Sequence, residues 1–180
     1  MVAQLDTKTV YTFMDSLISI KKYVETAKNL GYQTLGIMDI DNLYGVYHFM
    51  ETAIEQGIQP LLGVEMTLDY AGLPLNLRFL ALDSQGYRNL MKLSTLKMIG
   101  KSKWEEFQHL LEGIAVIVPV FEGIEALDLG REFYIGVFSD TPKQAFPHPT
   151  LPLQTVRYFD TGDLETLQML CAIRENSSLR

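Results

Sequence analysis

Residues 19–39 read SIKKYVETAKNLGYQTLGIMD, and this stretch predicts a helix followed directly by a buried strand. The helix is predicted over residues 19–30 with Ser19 as its N-cap. The strand is the apolar run at residues 34–38, and Asp39 follows it immediately. The apolar face of the helix is formed by Ile20, Tyr23, Val24, Ala27 and Leu30. A strand beside an amphipathic helix is the unit from which α/β folds are built.

The same alternation of strand and helix periods continues along the chain. Further helices are predicted at residues 42–56, 86–99, 104–111 and 164–173, and strands at residues 59–68, 74–82, 114–120, 133–139 and 153–159. Asn42 is the expected cap of the second helix, whose predicted buried stripe is Tyr47, Met50, Ala53 and Ile54. A hairpin turn is expected at residues 69–72, and residues 141–152, with four of the seven prolines, are expected to form a loop. The pattern predicts an α/β fold with a mostly parallel sheet, either open or curled into a barrel.

Composition limits the classes of function. The chain has 180 residues, 47% of them hydrophobic, which suits one compact domain. Its net charge of -7 has the wrong sign for a domain that binds nucleic acid by itself. A single cysteine, no signal peptide and no long apolar segment indicate a cytoplasmic protein without a membrane partner. The polar ending RENSSLR resembles a cut through a longer chain.

Carboxylates near strand ends are the strongest candidates for a functional site. Asp39 follows a strand directly, and ligands of α/β sheets bind beyond the carboxyl ends of strands. Asp15, Asp39 and Glu65 could converge there and bind a hard cation. The structural alternative is that Asp39 braces the turn after it and that Glu65 pairs with a nearby cation. Glycine-rich phosphate loops, a GxSxG nucleophile and histidine pairs at metal-ligand spacing are absent from the sequence.

Ordered motifs then connect the sequence to a known family. The segments QLDTKTVYTFMDS (4–16), LGIMDIDNLYG (35–45) and LNLRFLALDSQGYRNLMKLS (75–94) resemble the polymerase-and-histidinol-phosphatase (PHP) domain at the N-terminus of bacterial DNA polymerase III alpha subunits. The similarity is closest to the shorter form of low-GC Gram-positive bacteria, and it is thin over residues 101–150. The resemblance implies a distorted TIM-like (β/α)7 barrel, incomplete in a chain of this length. It further implies that residues 1–180 are one PHP domain at the start of a longer polymerase.

In active members of this family the resemblance implies a metal cluster for phosphoester hydrolysis, so each ligand position matters. At the following positions, where the resemblance implies a metal ligand in active members, this chain carries a different residue: Gln4, Asp6, Lys8, Ile40, Asn76, Val120, Thr155 and Arg157. Only the carboxylates Asp15, Asp39 and Glu65, hereafter the retained acids, remain. Zinc needs imidazoles, thiolates or carboxylates close to the ion, and the Lys8 ammonium competes with a metal for the same acids. We therefore expect no catalytic residues and no cofactor, and at most a weak single Mg²⁺ or Mn²⁺ site on the retained acids.

Three functions remain open from the sequence. The first is a non-catalytic PHP domain that supports a replicative DNA polymerase, whose other domains would bind DNA and Mg²⁺ and contact further replisome subunits. The second is a residual metal-dependent phosphoesterase or 3'-5' exonuclease that uses the retained acids. The third is an independent α/β domain that binds a small ligand.

Two structural expectations accompany these hypotheses. Gln4, Asp6 and Lys8 share one face of an extended segment, so Lys8 and Arg157 are expected to form ion pairs with the retained acids in place of a metal. The second expectation is an exposed apolar patch on the last helix, to which Leu167, Met169, Leu170 and Ile173 would contribute.

Overall fold

The computed structural model describes residues 3–142 and 144–177, which form two compact units. The first unit contains the described residues up to Leu62 together with those from Thr155 onward, and the second contains Gly63–Gln154. The strands are β1 (Ala3–Gln4), β2 (Thr34–Ile40), β3 (Gln59–Tyr70), β4 (Leu73–Ala81), β5 (Ile114–Pro119), β6 (Tyr134–Val137) and β7 (Thr150–Pro152). The helices are α1 (Ile20–Asn29), α2 (Val46–Glu55), α3 (Ser84–Met98), α4 (Trp104–Phe107) and α5 (Asp163–Arg174). The predicted α/β class is confirmed.

The first unit is built on the helix and strand of the opening stretch. β1 pairs in parallel with β2, and Ala3 lies opposite Thr34. Ser19 is the N-cap position of α1, although its side chain makes no capping hydrogen bond. The predicted apolar face of α1 is buried except for Leu30, which is 72% exposed because it lies just after the last helical residue. Tyr23 of α1 stacks on Phe49 of α2, and this contact joins the two helices.

The second helix differs from its prediction. α2 begins at Val46 with Gly45 as its N-cap, whereas Asn42 instead hydrogen-bonds to the carbonyls of Tyr11 and Ile40. Its buried residues are Val46, Phe49 and Ala53, while Tyr47 is 64% and Ile54 is 61% exposed. The prediction of a buried stripe through Tyr47 and Ile54 is therefore wrong. The sequence offers α2 two apolar faces, and only the one that contains Phe49 reaches the core.

The second unit contains the predicted hairpin and a mixed set of strand pairs. β3 and β4 are antiparallel around Ala71 and Gly72, both of which have positive φ as a two-residue hairpin turn requires. β4 and β5 are also antiparallel, whereas β5, β6 and β7 pair in parallel. The parallel pairs β1–β2, β5–β6 and β6–β7 agree with the expected mostly parallel sheet, the β3–β4 hairpin was also expected, and the antiparallel β4–β5 pair was not. The hairpin reverses the chain direction once, and β5 reverses it again.

The prolines of the predicted loop at residues 141–152 do not prevent a strand there. β7 occupies Thr150–Pro152, while the predicted strand at residues 153–159 has only a single bridge from Val156 to Thr7. The bonds from β6 to this region use the Pro149 carbonyl and the Leu153 amide. Neither hydrogen bond needs an N–H group at Pro149 or Pro152, so the strand pairing tolerates both prolines.

α5 combines one buried residue with an exposed apolar surface. Leu167 is buried, whereas Met169 and Ile173 are exposed and Leu170 is half-buried. Met169 and Ile173 are exposed one helical turn apart, as expected, whereas the expectation that Leu167 contributes to the exposed patch is wrong. Among residues 3–142 and 144–177, no helix is long and apolar enough to cross a bilayer.

Candidate functional site

The site of the first unit is built on the extended segment after β1. Gly36 of β2 allows this segment to approach closely, because a Cβ at Gly36 would lie 2.7 Å from the Leu5 carbonyl oxygen. The Met38 amide donates to the Thr7 carbonyl on one side of the segment. On the other side the Val156 amide donates to the Asp6 carbonyl and the Lys8 amide donates to the Val156 carbonyl. Residues 6–8 therefore lie between β2 and the segment at residues 155–157.

Lys8 is fully buried in this segment, and its described ion pair is with Asp6, on the same face of the segment, whereas the sequence predicted ion pairs with the retained acids. Its Nζ lies 2.5 Å from Asp6 Oδ1 and donates to the Met38 carbonyl at 2.6 Å. The other carboxylate oxygen of Asp6 accepts a hydrogen bond of 2.6 Å from Thr155 Oγ1. Asp6, Lys8 and Thr155 all occupy substituted ligand positions. Three of these positions therefore form one polar cluster, in which Asp6 and Lys8 are buried and Thr155 is half-buried.

Asp39 lies directly after the buried strand, as predicted, and is itself buried. Its Oδ1 accepts hydrogen bonds from the Thr9 amide and Thr12 Oγ1, both at 2.6 Å, and its Oδ2 accepts one from Thr9 Oγ1 at 2.7 Å. Neutral donors thus satisfy both oxygens. Asp39 braces the loop that follows β1, which is close to the structural alternative, although the braced loop contains residues 9–12.

Asp15 forms ion pairs with two arginines. Arg157 forms an ion pair with Asp15 Oδ2, as the sequence predicts, and Arg174 Nη1 lies 3.1 Å from Asp15 Oδ1. Asp15 is buried, whereas both arginine side chains are about one third exposed. The second arginine was missed because it lies in the polar ending, where nothing in the local pattern indicates a long-range partner.

Glu65 lies in the second unit and pairs within it. Arg78 Nη2 is 3.1 Å from Glu65 Oε2, and Asn76 Nδ2 donates to Glu65 Oε1 at 2.9 Å. Both members of the ion pair are 6% exposed, and the two residues are directly opposite in the β3–β4 register. The alternative in which Glu65 pairs with a nearby cation therefore holds. Cross-strand position selects Arg78 as that cation.

The remaining substituted positions carry little polar chemistry. Asn76 and Val120 line a cleft of about 230 Å³ whose other walls are Leu73, Pro74, Leu75, Val118, Pro119 and Phe121. In the first unit Gln4 pairs in the β1–β2 register with Leu35, and the Ile40 amide donates to Thr12 Oγ1. The residues that line this cleft include no carboxylate and no imidazole.

The donors around the acids do not fit a bound metal cluster. The Asp6 carboxylate forms an ion pair with a lysine, Asp39 accepts hydrogen bonds from threonines, and Asp15 forms ion pairs with two arginines. Within the part of the chain that the structure describes, no group of three or more His, Cys, Asp or Glu side chains is arranged to hold a metal ion. Carboxylate oxygens that already accept hydrogen bonds and ion pairs are poor ligands for Mg²⁺ or Zn²⁺, so we derive no metal chemistry here.

Cys171 of α5 lies beside this site, with Sγ 3.6 Å from Asp15 Oδ1. Burial and the neighbouring Asp15 carboxylate both raise the pKa of the thiol. We therefore expect iodoacetamide to alkylate Cys171 more slowly than free cysteine at pH 7.5, with a rate profile displaced to higher pH. Mass spectrometry of timed samples measures the rate, and urea-unfolded protein is the control that restores normal reactivity. A rate equal to that of free cysteine in the folded protein would contradict this prediction.

Comparisons with known proteins agree with the resemblance seen in the sequence. The sequence profile of the PHP domain matches residues 4–137. The chain is 49% identical over 181 residues to the DNA polymerase III subunit alpha of Streptococcus pyogenes serotype M1, which covers 99% of this chain and 18% of the relative. It is 28% identical over 190 residues to the corresponding subunit of Staphylococcus epidermidis, with 99% and 17% covered. The chain thus spans less than one fifth of the length of these curated relatives.

Solved structures show the same fold at low identity. An amidohydrolase from Chromobacterium violaceum aligns over 98% of this chain and 84% of its own, with a TM-score of 0.56 and 12% identity. A candidate metal-dependent phosphoesterase from Bifidobacterium adolescentis aligns over 97% and 84%, with a TM-score of 0.55 and 12% identity. These neighbours confirm the predicted PHP-type fold. Because the family profile covers most of the sequence and the fold agrees with it, this chain belongs to the PHP domain family.

Proposed function

We propose that this chain is a non-catalytic PHP domain of a bacterial DNA polymerase III alpha subunit, in which it serves as a structural support and interaction module. The observation that carries the proposal is the 49% identity to the streptococcal alpha subunit over 99% of the chain. The remaining domains of that subunit would be its immediate partners. Polymerisation, primer-template binding and Mg²⁺ binding would belong to those domains, and other replisome subunits are further candidate partners.

The chemistry of the site supports a role without catalysis. A general base or a metal ligand needs a lone pair that is available to substrate or ion. The carboxylates of Asp6, Asp15 and Asp39 instead accept from lysine, arginine and threonine donors. The net charge of -7 also supports a module that contacts DNA through its parent chain. A part in chromosome replication would place the protein in the bacterial cytoplasm, and we propose that location.

The test of the polymerase role is a chimera. The segment of the Streptococcus pyogenes alpha subunit that matches this chain is replaced by residues 1–180, and primer extension is measured beside the wild-type subunit and a variant that lacks the segment. We expect the chimera to retain most of the polymerase activity and the truncated variant to lose it. A chimera that is monodisperse and folded but has no more activity than the truncated variant would refute the proposal.

The competing function is a metal-dependent phosphoesterase or 3'-5' exonuclease, and a separate assay distinguishes it. We expect the purified chain to release no nucleotide from a 3'-labelled primer in Mn²⁺, because the retained acids already have donors. The control is the same assay with a known Mn²⁺-dependent exonuclease. Cleavage that depends on Mn²⁺ and disappears in a folded Asp15→Asn variant would instead establish the nuclease.

A further inference from the structure

The Lys8 cluster consists of the buried Asp6 and Lys8 side chains, the Met38 carbonyl and the Thr155 hydroxyl. It joins three separate parts of the first unit. Asp6 and Lys8 belong to the segment after β1, Met38 belongs to β2, and Thr155 begins the C-terminal part of the unit. The Asp6 carboxylate connects two of these parts, since one oxygen lies 2.5 Å from Lys8 Nζ and the other accepts from Thr155 Oγ1 at 2.6 Å. Lys8 Nζ reaches the third part through the Met38 carbonyl.

A buried ammonium is costly unless oxygen atoms surround it closely. Lys8 has 0% exposure, and its two described acceptors, Asp6 Oδ1 and the Met38 carbonyl, lie within hydrogen-bond distance of Nζ. A carboxylate and a backbone carbonyl are also the donors that hard cations select. The ammonium therefore lies where oxygen atoms from two segments, the Asp6 carboxylate and the Met38 carbonyl, accept from one positive charge.

We infer that the Lys8 ammonium is a built-in structural cation that holds the C-terminal segment of the first unit against β1 and β2. Without it, the buried Asp6 carboxylate would lose the ammonium that lies 2.5 Å from its Oδ1, and the carboxylate that accepts from Thr155 Oγ1 would be less stable. The inference concerns the stability of the unit and does not depend on the polymerase role proposed above.

Loss of the Lys8 ammonium should first affect the segment that the cluster attaches, before the whole unit unfolds. The segment at residues 155–157 carries Arg157, whose ion pair with Asp15 and backbone bond to Leu17 continue the attachment. α5 follows directly and returns to Asp15 through Arg174. Within the first unit, loss of the Lys8 charge should therefore loosen residues 155–174 first.

The test compares Lys8→Met with Lys21→Met, in which an exposed lysine of α1 is replaced by the same side chain. Thermal unfolding and hydrogen exchange by mass spectrometry are the two measurements. We expect Lys8→Met to lower Tm by about 8 °C and Lys21→Met to leave it nearly unchanged. Exchange in residues 155–174 should accelerate at least tenfold in Lys8→Met and should remain as in the wild type in Lys21→Met.

Two further variants keep the test decisive. Lys8→Met combined with Asp6→Leu removes both charges, and it should recover more than half of the lost Tm because the buried carboxylate is removed together with the ammonium that faces it. Thr155→Val leaves the ion pair intact, so it tests the connection to the C-terminal segment even if Lys8→Met fails to fold. It should accelerate exchange in residues 155–157 alone.

The inference is overturned if Lys8→Met matches the wild type in Tm and exchange. It is also overturned if Thr155→Val leaves exchange in residues 155–157 unchanged, because the cluster would then not hold that segment. EDTA should not change the Tm of the wild type. A Tm that falls in EDTA and returns with added Mn²⁺ would show that a metal performs this role instead.

Discussion

Asp39→Ala should lower the free energy of unfolding by about 4 to 6 kcal/mol, since three buried donors lose their acceptor at once and each costs about 1 to 3 kcal/mol. The donors are the amide and hydroxyl of Thr9 and the hydroxyl of Thr12. The surrounding residues leave little room for water to replace the carboxylate, because Thr9, Thr12 and Asp39 are all buried. Urea denaturation followed by circular dichroism gives the change as a shift in midpoint at constant slope.

Two controls separate the loss of these hydrogen bonds from a general effect of removing an aspartate. Asp140→Ala removes a carboxylate that is exposed, and it should change the free energy of unfolding by less than about 0.5 kcal/mol. Thr12→Val removes one of the three donors at nearly constant volume, so its cost should be clearly smaller than that of Asp39→Ala. A loss below about 1 kcal/mol in Asp39→Ala would show that Asp39 does not brace the loop.

Local sequence patterns were sufficient for most of the elements but not for their tertiary environment. The hairpin was predictable because the Ala71–Gly72 pair follows Asp69, whose side chain accepts from the Gly72 amide. The orientation of α2 was not, because Tyr47 and Phe49 are both large and apolar and only tertiary packing decides which is buried. The high proline content of residues 141–152 predicts a loop and so does not predict β7. Strand pairing depends instead on which individual backbone N–H groups must donate a hydrogen bond.

The site was predictable at the level of individual residues and unpredictable at the level of partners. Strand ends identified Asp39, and strand parity placed Asp6 and Lys8 on one face, which is why they pair. Thr155 and Arg174 lie about 150 residues further along the chain, and the sequence contains no local signal for contacts at that separation. The resemblance to the PHP family identified Thr155 as a substituted position, but only the fold gives it a partner.

Arg78→Met should destabilise the second unit by about 3 to 5 kcal/mol, because it removes the positive charge that faces the buried Glu65 carboxylate. The two side chains face each other across the β3–β4 pair with Nη2 and Oε2 3.1 Å apart. Methionine preserves the apolar length of the arginine stem, so the lost charge dominates over lost packing. Arg78 also lies over the Phe138 ring, with its guanidinium carbon 5.8 Å from the ring centroid, and loss of this contact adds a smaller term.

Arg88→Met is the matched control for this prediction, because Arg88 is exposed on α3 and bonds only weakly to Gln85 of the same helix. It should change the free energy of unfolding by less than about 1 kcal/mol in the same urea titration. Glu65→Gln added to Arg78→Met should restore at least half of the loss, since a neutral amide can keep the bond from Asn76 without a buried charge. If the double variant is no more stable than Arg78→Met, the loss arises from packing around the arginine stem and not from the charge of Glu65.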